Sequence, residues 1–262
     1  MRPSRRARQP LAPPAPLAAA TAALAAALAG LVAAGPAAAA PAAYEWFLRA
    51  DDGSRRVVVS GDELRFPLVC DGNGDGRDAP ATWAAGRFHL SDTRGGAAGF
   101  AYGRADDVPL CGDWDGDGRD TVGVVRDGTF YLRFDPGPGR AQRVFAYGKP
   151  GDVVVTGDWD GHRGDGVGVV RQGRFALKNA PRAGRADVSL AFGRPTDVPL
   201  AGDWNGDGKD TVGLHRAGRF YLNGALDERA DLVRAFGRAS DFPVTGDWDG
   251  RRGDGIGVVR VR

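Results

Sequence analysis

The sequence predicts an all-β fold in which five four-stranded repeats form a closed ring, and three observations lead to this prediction. An acidic, glycine-rich string recurs five times, at intervals of 42, 45, 45 and 44 residues, and a fixed period of this size indicates a repeat architecture. Each interval contains four short strand patterns separated by Gly-rich turns, which is typical of one propeller blade. The two ends of the chain each supply half of one further repeat. The predicted fold is therefore a five-bladed β-propeller with repeats of about 45 residues.

The first 43 residues precede the repeats and have the composition of a secretory signal peptide. Four arginines lie within the first eight residues, an Ala- and Leu-rich run follows over about residues 17–34, and small residues continue to Ala43. This order of basic, apolar and small-residue regions is typical of an export signal that is removed. An uncleaved membrane anchor is the alternative, although alanine, which dominates the run, is only weakly hydrophobic. We expect a secreted protein whose mature domain comprises residues 44–262 and does not bind a membrane.

Net charge argues against a nucleic-acid partner. The whole chain carries 35 basic and 33 acidic residues, a formal charge of +2, but four of the arginines belong to the predicted export signal. The remaining domain has a net charge of −2, whereas a nucleic-acid-binding domain normally carries a clear basic excess. Its length of about 220 residues is enough for a single β domain.

The copy that begins at Val198 illustrates the four strands of one repeat. Its predicted strands, in order, are Val198–Gly202, Thr211–Arg216, 219–223 and 231–236. The acidic string lies between the first two strands, and Ala217-Gly218 is a tight-turn signal between the second and third. Gly237 closes the fourth strand, and the next acidic string begins ten residues later.

The chain ends complete one blade. Tyr44–Arg49 matches a third strand and Arg55–Ser60 a fourth, whereas residues 255–260 match a second strand. The N-terminus therefore supplies strands three and four, and the C-terminus strands one and two, of one shared blade. Such pairing closes the ring and leaves only short edges. An open solenoid is the alternative, but it requires capping repeats, and none is visible.

Cys70 and Cys111 are the two cysteines, and both precede an acidic string in successive repeats. An even cysteine count in an exported protein favours a disulfide between them. Cys70 directly precedes Asp71, whereas Cys111 lies two residues before Asp113, so alternation along a strand would direct the two side chains to different faces. Two buried free thiols are the alternative.

Three of the acidic strings have the residue types and spacing of a calcium-binding loop. Calcium prefers six to eight oxygen ligands, and oxygens at positions 1, 3 and 5 of a tight loop converge on one point. Position 7 usually adds a backbone carbonyl, which leaves its side chain directed to solvent, and an aspartate at position 8 would close the sphere. A solvated Asp/Gly turn is the alternative for any one loop, but three copies in register favour calcium. The candidate calcium ligands are Asp71, Asn73, Asp75, Arg77 and Asp78 in the first loop, Asp113, Asp115, Asp117, Arg119 and Asp120 in the second, and Asp203, Asn205, Asp207, Lys209 and Asp210 in the fourth.

The third and fifth strings lack a carboxylate at position 5, where His162 and Arg251 stand. An arginine beside two carboxylates supplies a positive charge of its own. The fifth loop is therefore predicted to be metal-free and held by an ion pair. We expect no calcium at the loops that begin with Asp158 and Asp247.

With the Phe-Gly pair that precedes them, these strings resemble the FG-GAP and VCBS-type calcium repeats of integrin α-chain propellers and many secreted bacterial proteins. The residues that carry the resemblance are Phe192, Gly193 and the string Gly-Asp-Trp-Asn-Gly-Asp-Gly-Lys-Asp at 202–210. The resemblance covers essentially all of residues 44–262, and it implies a β-propeller with calcium in the loops between strands one and two of a blade. Two features depart from that family: the period is near 45, shorter than in typical members, and the last aspartate is at position 8 rather than 9.

Recurring aromatic and basic residues offer a candidate ligand-binding site. A tryptophan follows the first aspartate in four strings, and a cation follows the glycine that closes a fourth strand. An aromatic platform beside a cation suits a sugar or an anionic group. The alternative is that the tryptophans are buried between blades and that the arginines pair with aspartates, since repetition alone makes packing residues recur. The candidate residues are Trp114, Trp159, Trp204, Trp248, Arg104, Lys149, Arg194 and Arg238.

An enzyme is poorly supported by the sequence. The three histidines take different places in the repeat, and there is no Gly-x-Ser-x-Gly elbow and no His-rich metal cluster. We therefore predict a secreted calcium-binding propeller that acts as a binding or adhesion module for an extracellular glycan or a surface protein. A five-bladed glycoside hydrolase with channel carboxylates is the first alternative, and a non-catalytic structural scaffold is the second.

Overall fold

The computed structural model describes residues 44–60, 66–94, 96–251 and 253–261, and the predicted signal peptide lies outside them. The described residues form twenty β-strands in five four-stranded antiparallel sheets. The sheets surround a central axis, so the predicted five-bladed β-propeller is confirmed. No described residue belongs to a helix that is long and apolar enough to cross a membrane.

The strands divide evenly among the blades. The chain opens with β1 (Tyr44–Arg49) and β2 (Arg55–Ser60). Blade 1 contains β3 (Phe66–Cys70), β4 (Ala79–Ala84), β5 (Arg87–Ser91) and β6 (Ala97–Ala101). Blade 2 contains β7 (Val108–Gly112), β8 (Thr121–Arg126), β9 (Thr129–Leu132) and β10 (Arg143–Ala146). Blade 3 contains β11 (Val153–Gly157), β12 (Gly166–Arg171), β13 (Arg174–Lys178) and β14 (Val188–Ala191). Blade 4 contains β15 (Val198–Gly202), β16 (Thr211–Arg216), β17 (Arg219–Leu222) and β18 (Leu232–Ala235). Blade 5 combines β19 (Phe242–Gly246) and β20 (Gly255–Val261) with β1 and β2.

Pairing of β1 with both β2 and β20 closes the ring. Trp46 in β1 lies opposite Val58 in β2 and Val259 in β20. The strand order of this sheet is β19-β20-β1-β2. The C-terminus therefore supplies strands one and two of blade 5, and the N-terminus supplies strands three and four, as predicted from the sequence.

The hydrophobic core lies between neighbouring blades. Each third strand contributes one aromatic side chain that is fully buried: Trp46, Phe88, Phe130, Phe175 and Phe220. Phe88 of blade 1, for example, packs in one cluster with Val122 and Val124 of blade 2. Because each blade buries its apolar face only against the next blade, the stability of every blade depends on closure of the whole ring.

The first strands line a central channel with a volume of about 670 Å³. Each of them runs from one face of the ring to the other. The loop face carries the acidic loops 71–78, 113–120, 158–165, 203–210 and 247–254, which join strands one and two. The opposite face carries the turns between strands two and three and the connections from each fourth strand to the next blade. A five-residue strand separates the two faces by roughly 16 Å.

A disulfide joins Cys70 to Cys111, with the two Cα atoms 5.8 Å apart. It connects β3 to β7, the first strands of blades 1 and 2. The one-place offset in the repeat is therefore no obstacle, because the two residues lie on different blades that face each other rather than at equivalent places along one sheet.

Truncation after Gly246 tests ring closure. This change removes β20, the neighbour of β1 in blade 5, and exposes the apolar face that includes Trp46 and Leu48. We expect aggregation or loss of cooperative unfolding relative to the full-length chain, measured by size-exclusion chromatography and thermal circular dichroism. A soluble monomer with a sharp unfolding transition would argue that blade 5 is not needed to close the ring.

Candidate functional site

All five acidic loops have the same backbone fold, which the first aspartate organises. Asp113 Oδ1 accepts hydrogen bonds from the amides of Gly116 and Asp117, at 2.8 and 3.1 Å, and its Oδ2 accepts one from Gly118 at 2.8 Å. The first aspartates of the other four loops also accept amides from positions 4 and 5. The loop shape therefore comes from carboxylate–amide bonding and does not require the later acidic residues.

The second loop gathers three carboxylates in a manner that fits calcium. Carboxylate oxygens of Asp113, Asp115 and Asp117 lie within 4.8 Å of one another. Calcium–oxygen distances of 2.3–2.6 Å place two ligands of one ion up to about 5 Å apart, so one ion fits among these three groups. Burial, which is the largest cause, together with the nearby Asp117 charge raises the pKa of Asp113, and a bound cation would offset the crowding of negative charge.

The first and fourth loops place an asparagine at position 3. Asn73 Nδ2 donates to Asp75 Oδ2 at 3.0 Å, and Asn205 Nδ2 donates to Asp207 Oδ2 at 3.0 Å. The side-chain oxygen of each asparagine accepts the backbone amide of the same aspartate, at 3.2 Å for Asn73 and 3.1 Å for Asn205, so turning it toward an ion would break both hydrogen bonds. Thr93 also donates its hydroxyl to Asp75, a contact with the first loop that the repeat pattern did not indicate.

In the loops with Arg251 or His162 at position 5, that side chain contacts nearby carboxylates instead. Arg251 Nη1 lies 2.7 Å from Asp52 Oδ2, and its Nε lies 4.0 Å from Asp249 Oδ2. The predicted ion pair of the fifth loop is therefore present, with Asp52 of the turn after β1 as an additional partner. In the third loop His162 Nδ1 lies 2.9 Å from Asp160 Oδ1.

The side chains at position 7 lie against a neighbouring loop, which corrects the expectation that they point freely to solvent. Arg119 Nε donates to the carbonyl of Gly72 in the first loop at 2.7 Å. Arg77 lies beside Gly250 of the fifth loop, and Lys209 lies beside Gly161 of the third. These long side chains therefore bridge successive loops of the loop face.

The aspartates at position 8 join blades to one another. Asp120 Oδ2 accepts the amide of Asp71 at 2.8 Å, and the Asp120 amide donates to the Asp71 carbonyl at 3.0 Å. The same reciprocal pair recurs at every blade junction, and Asp78 with Asp247 closes the circle. The five carboxylates that accept these amides, here called the channel aspartates, are Asp78, Asp120, Asp165, Asp210 and Asp254.

These contacts correct the expectation that Asp78, Asp120 and Asp210 complete a calcium sphere in their own loops. Each of the three carboxylates instead accepts an amide from the loop of the adjacent blade. Asp120 is also absent from the group of converging oxygens in the second loop. A glycine at the end of most first strands makes room for this contact, since a Cβ at Gly112 would lie 2.7 Å from Asp165 Oδ2.

The channel aspartates form a ring of like charges deep in the protein. All five line the central channel, which leaves each of them partly accessible to solvent. Burial is the largest cause of their raised pKa values, and neighbouring carboxylates raise them further: the pKa values of Asp120 and Asp210 rise to about 7. The pKa values of Asp78, Asp165 and Asp254 are raised for the same reasons.

The recurring tryptophans are packing residues, in agreement with the alternative interpretation from the sequence. Trp114 and Trp159 are 3% exposed and Trp248 is 9% exposed. Trp204 is half-buried, and its Nε1 donates to the carbonyl of Val212 at 3.3 Å. The three buried indoles cannot serve as a stacking platform for a sugar, so this part of the predicted ligand site is wrong.

The recurring cations lie on the other side of the ring from the tryptophans. The side chains of Arg104, Lys149, Arg194 and Arg238 are exposed, and their amides donate to the aspartate three residues later. They precede the first strands, whereas the tryptophans follow those strands, so the two sets are on opposite faces. A pocket that combines them, as the sequence suggested, does not exist among the described residues.

The arginines at the end of each second strand form structural ion pairs. Arg126, Arg171, Arg216 and Arg260 make bidentate hydrogen bonds to Asp107, Asp152, Asp197 and Asp241, respectively. Three of these arginines also stack on an aromatic ring of the third strand at 4.5–4.9 Å. Each pair ties the connection from the preceding blade to the second strand of its own blade.

Sequence reasoning missed the role of Asp165 and Asp254, although a signal was present. Position 8 is aspartate in all five strings, including the two in which His162 and Arg251 disrupt the metal pattern. A residue that recurs where the metal ligands do not has a role other than metal binding. The aspartate–arginine pairs had a similar signal, a constant separation of 19 residues.

Comparison with known proteins does not assign this chain to a family. No family model and no curated protein matches it. Among solved structures the chain is similar to the crystal structure of BBS1N in complex with ARL6DN, soaked with lead, at 12% identity and a TM-score of 0.38, over 65% of this chain and 56% of that one. The same complex soaked with mercury matches at 12% identity and a TM-score of 0.35, over 65% and 53%. The aligned part is therefore little more than half of those chains.

The channel aspartates predict an unusual dependence of stability on pH in calcium-free buffer. Because their folded-state pKa values exceed the ordinary 3.8, the folded protein binds more protons, and the resulting stability is complete below about pH 4 and is lost as the pH rises through about 7. The melting temperature should therefore be higher at pH 5 than at pH 8. Burial lowers the pKa of His215, whose contribution has the opposite sign but comes from one group against five.

Asp120→Asn isolates this effect, because the amide oxygen can still accept the Asp71 amide while the charge is removed. We expect the variant to be more stable than the wild type at pH 8 by on the order of 1–2 kcal/mol, and equal or weaker at pH 5. Asp106→Asn, an exposed position on the opposite face, is the matched control and should leave the profile unchanged. A wild-type melting temperature that rises steadily from pH 5 to pH 8 would contradict this account of the ring.

Proposed function

We propose that the protein is a secreted, calcium-binding β-propeller that acts as a binding module for an extracellular glycan or a surface protein. The observation that carries the proposal is repetition: the described blades present equivalent loops on one face and equivalent exposed cations on the other. Repeated weak sites on a rigid ring suit a ligand that is itself repetitive or displayed on a surface, because several contacts then act together.

The geometry of the acidic loops supports calcium as the stabilising ion. Loops one, two and four combine a pre-folded backbone with oxygen-bearing side chains at positions 1, 3 and 5. The first aspartate of each of these loops also donates its amide to a channel aspartate. An ion bound there would therefore strengthen the blade junctions, and an ion that binds only the folded state raises its stability.

A glycoside hydrolase is the second candidate, because five carboxylates line the channel and Asp120 and Asp210 have pKa values of about 7. A general acid with a pKa near the working pH is what such hydrolysis requires. Against this candidate, each channel aspartate accepts the same hydrogen bond from the preceding blade. Catalysis needs two carboxylates in different environments, and this ring supplies five in similar ones.

An array of extracellular glycans and surface proteins, probed with the protein in the presence and absence of calcium, tests the proposed function. We expect binding to densely displayed ligands without chemical change in them, and weaker binding when calcium is removed because the ring is then less stable. Hydrolysis of an arrayed glycan that is abolished by Asp120→Asn would favour the hydrolase. No binding to any ligand, with the fold intact, would leave only a structural scaffold.

Isothermal calorimetry should detect about three calcium ions per chain with dissociation constants of roughly 0.1–1 mM, the range of extracellular modules. Asp117→Ala should remove one ion, because it deletes one of the three converging carboxylates of the second loop. Asp160→Ala in the third loop is the matched control and should leave the count at three. His162→Asp restores position 5 of that loop and should add a fourth ion. If millimolar calcium produces no heat of binding and no thermal shift, the loops are not metal sites.

A further inference from the structure

Among the residues that the structure describes, the face opposite the acidic loops carries more exposed cations than exposed carboxylates. The arginines that end the second strands are excluded from this set, because each already pairs with a buried or half-buried aspartate. Among the described residues of this face, Asp106 and Asp127 are the exposed carboxylates. The exposed cations of this face that form no salt bridge inside 4 Å with a described residue are Arg87, Arg104, Lys149, Arg174, Arg194, Arg219 and Arg238. Arg194 and Arg238 still interact at longer range with Asp197 and Asp241, whose pKa values they help to lower. The face is therefore basic although the mature domain as a whole is slightly acidic.

Two neighbouring grooves on this face place such cations between blades. The groove between blades 3 and 4 has a volume of about 190 Å³, and its walls include Arg171, Arg194 and Pro195. Asp152 and Asp197 also line it, paired with Arg171 and Arg216, respectively. At the equivalent place between blades 2 and 3, Arg126, Lys149 and Pro150 line an extension of the central channel, together with Asp107, the partner of Arg126, and the exposed Asp106 and Asp127. Each groove thus combines a strand-two arginine of one blade with the first exposed cation of the next.

The strand-two arginines still have donors to offer a ligand. Asp152 engages Nε and Nη2 of Arg171, and Asp107 engages the same two nitrogens of Arg126. A guanidinium has five N–H donors in a fixed fork, so Nη1 retains its hydrogens for a further acceptor. Arg171 is also half exposed, at 49% of its side chain. The aspartates hold these forks in place, which lowers the entropic cost of binding an anion.

We propose that these inter-blade grooves bind a linear anionic polysaccharide, with a sulfate or carboxylate of successive sugars at each groove. The inference rests on the proposed function and names its ligand class and surface. The walls consist largely of proline, glycine, charged groups and backbone, with no deep apolar pocket for the aromatic or aliphatic anchor that protein partners usually insert. Cations repeated once per blade match a polymer whose charges repeat at a constant interval.

Paired substitutions on the two faces test the grooves. Lys149→Ala combined with Arg194→Ala removes one cation from each groove. Arg182→Ala combined with Arg185→Ala removes the same charge from the loop between strands three and four of blade 3, where both side chains are exposed. Dextran sulfate, polygalacturonate, neutral dextran and poly-L-glutamate are the probes, all with calcium present, and binding is measured by biolayer interferometry with a melting temperature for each variant.

We expect the protein to bind dextran sulfate or polygalacturonate but not neutral dextran. The groove variant should weaken this binding about three- to tenfold, and the control variant should leave it unchanged. Preference for one of the two polymers identifies sulfate or carboxylate as the recognised group. Equal weakening by both variants would overturn the groove as the site, because attraction would then follow net charge alone. Poly-L-glutamate bound as tightly as the sugar polymers, and with the same sensitivity to the groove variant, would overturn the polysaccharide in favour of an acidic protein.

Failure of this inference is distinguishable from failure of the proposed function. If neither anionic polymer binds but a neutral glycan or a surface protein on the array does, the grooves are not the site and the binding module stands. If nothing binds in either experiment, the proposed function fails with it.

Discussion

The hydrogen bond between a channel aspartate and the first aspartate of the adjacent acidic loop is the contact on which the ring depends. It is reciprocal, because the carboxylate of one residue accepts an amide while its own amide donates to a carbonyl of the same partner. The junction between Asp78 and Asp247 bridges 169 positions and joins blade 1 to blade 5. Hydrogen bonds to a charged acceptor contribute roughly 1.5–3 kcal/mol each, but five carboxylates around one channel also repel each other. Each hydrogen bond therefore stabilises its blade junction, while repulsion among the five carboxylates destabilises the ring as a whole.

This arrangement would link a bound cation, protons and ring closure through shared residues. Asp113 offers its side chain to the second acidic loop and its amide to Asp165 of blade 3. A cation in the loop and a proton on the channel aspartate both reduce the same excess of negative charge. Arg251 supplies a positive charge in the fifth loop by a third route. The cation, the proton and Arg251 would each offset the repulsion among the carboxylates at the loop face.

The fold could be predicted from the sequence because the strand and turn patterns lie within each repeat. Five copies of the pattern also reduce the error in assigning any one repeat. The composite blade followed from matching Tyr44–Arg49 to a third strand. The roles of individual side chains were harder to predict from the sequence, because they depend on contacts between residues of neighbouring blades. Asp120 was predicted to bind metal in its own loop, and it bonds to Asp71 of the preceding one. Trp114 and Arg104 recur equally in sequence, yet one is buried and the other is exposed on the opposite face. Periodicity shows that residues are equivalent, but not where they point.

Comparison of the five loops indicates that the blade junction at position 8 constrains the sequence more than the metal pattern at positions 3 and 5. Positions 3 and 5 change between loops, from Asp115 and Asp117 in the second to Asn73 in the first and His162 in the third, and the backbone fold of the loop persists. Position 8 is aspartate in all five loops, and each of these carboxylates accepts the amide that joins two blades. The grooves of the opposite face are formed by pairs of blades, so their shape depends on the junctions rather than on the metal. Calcium on the loop face would then act on ligand binding indirectly, by holding together the blades whose edges form the grooves.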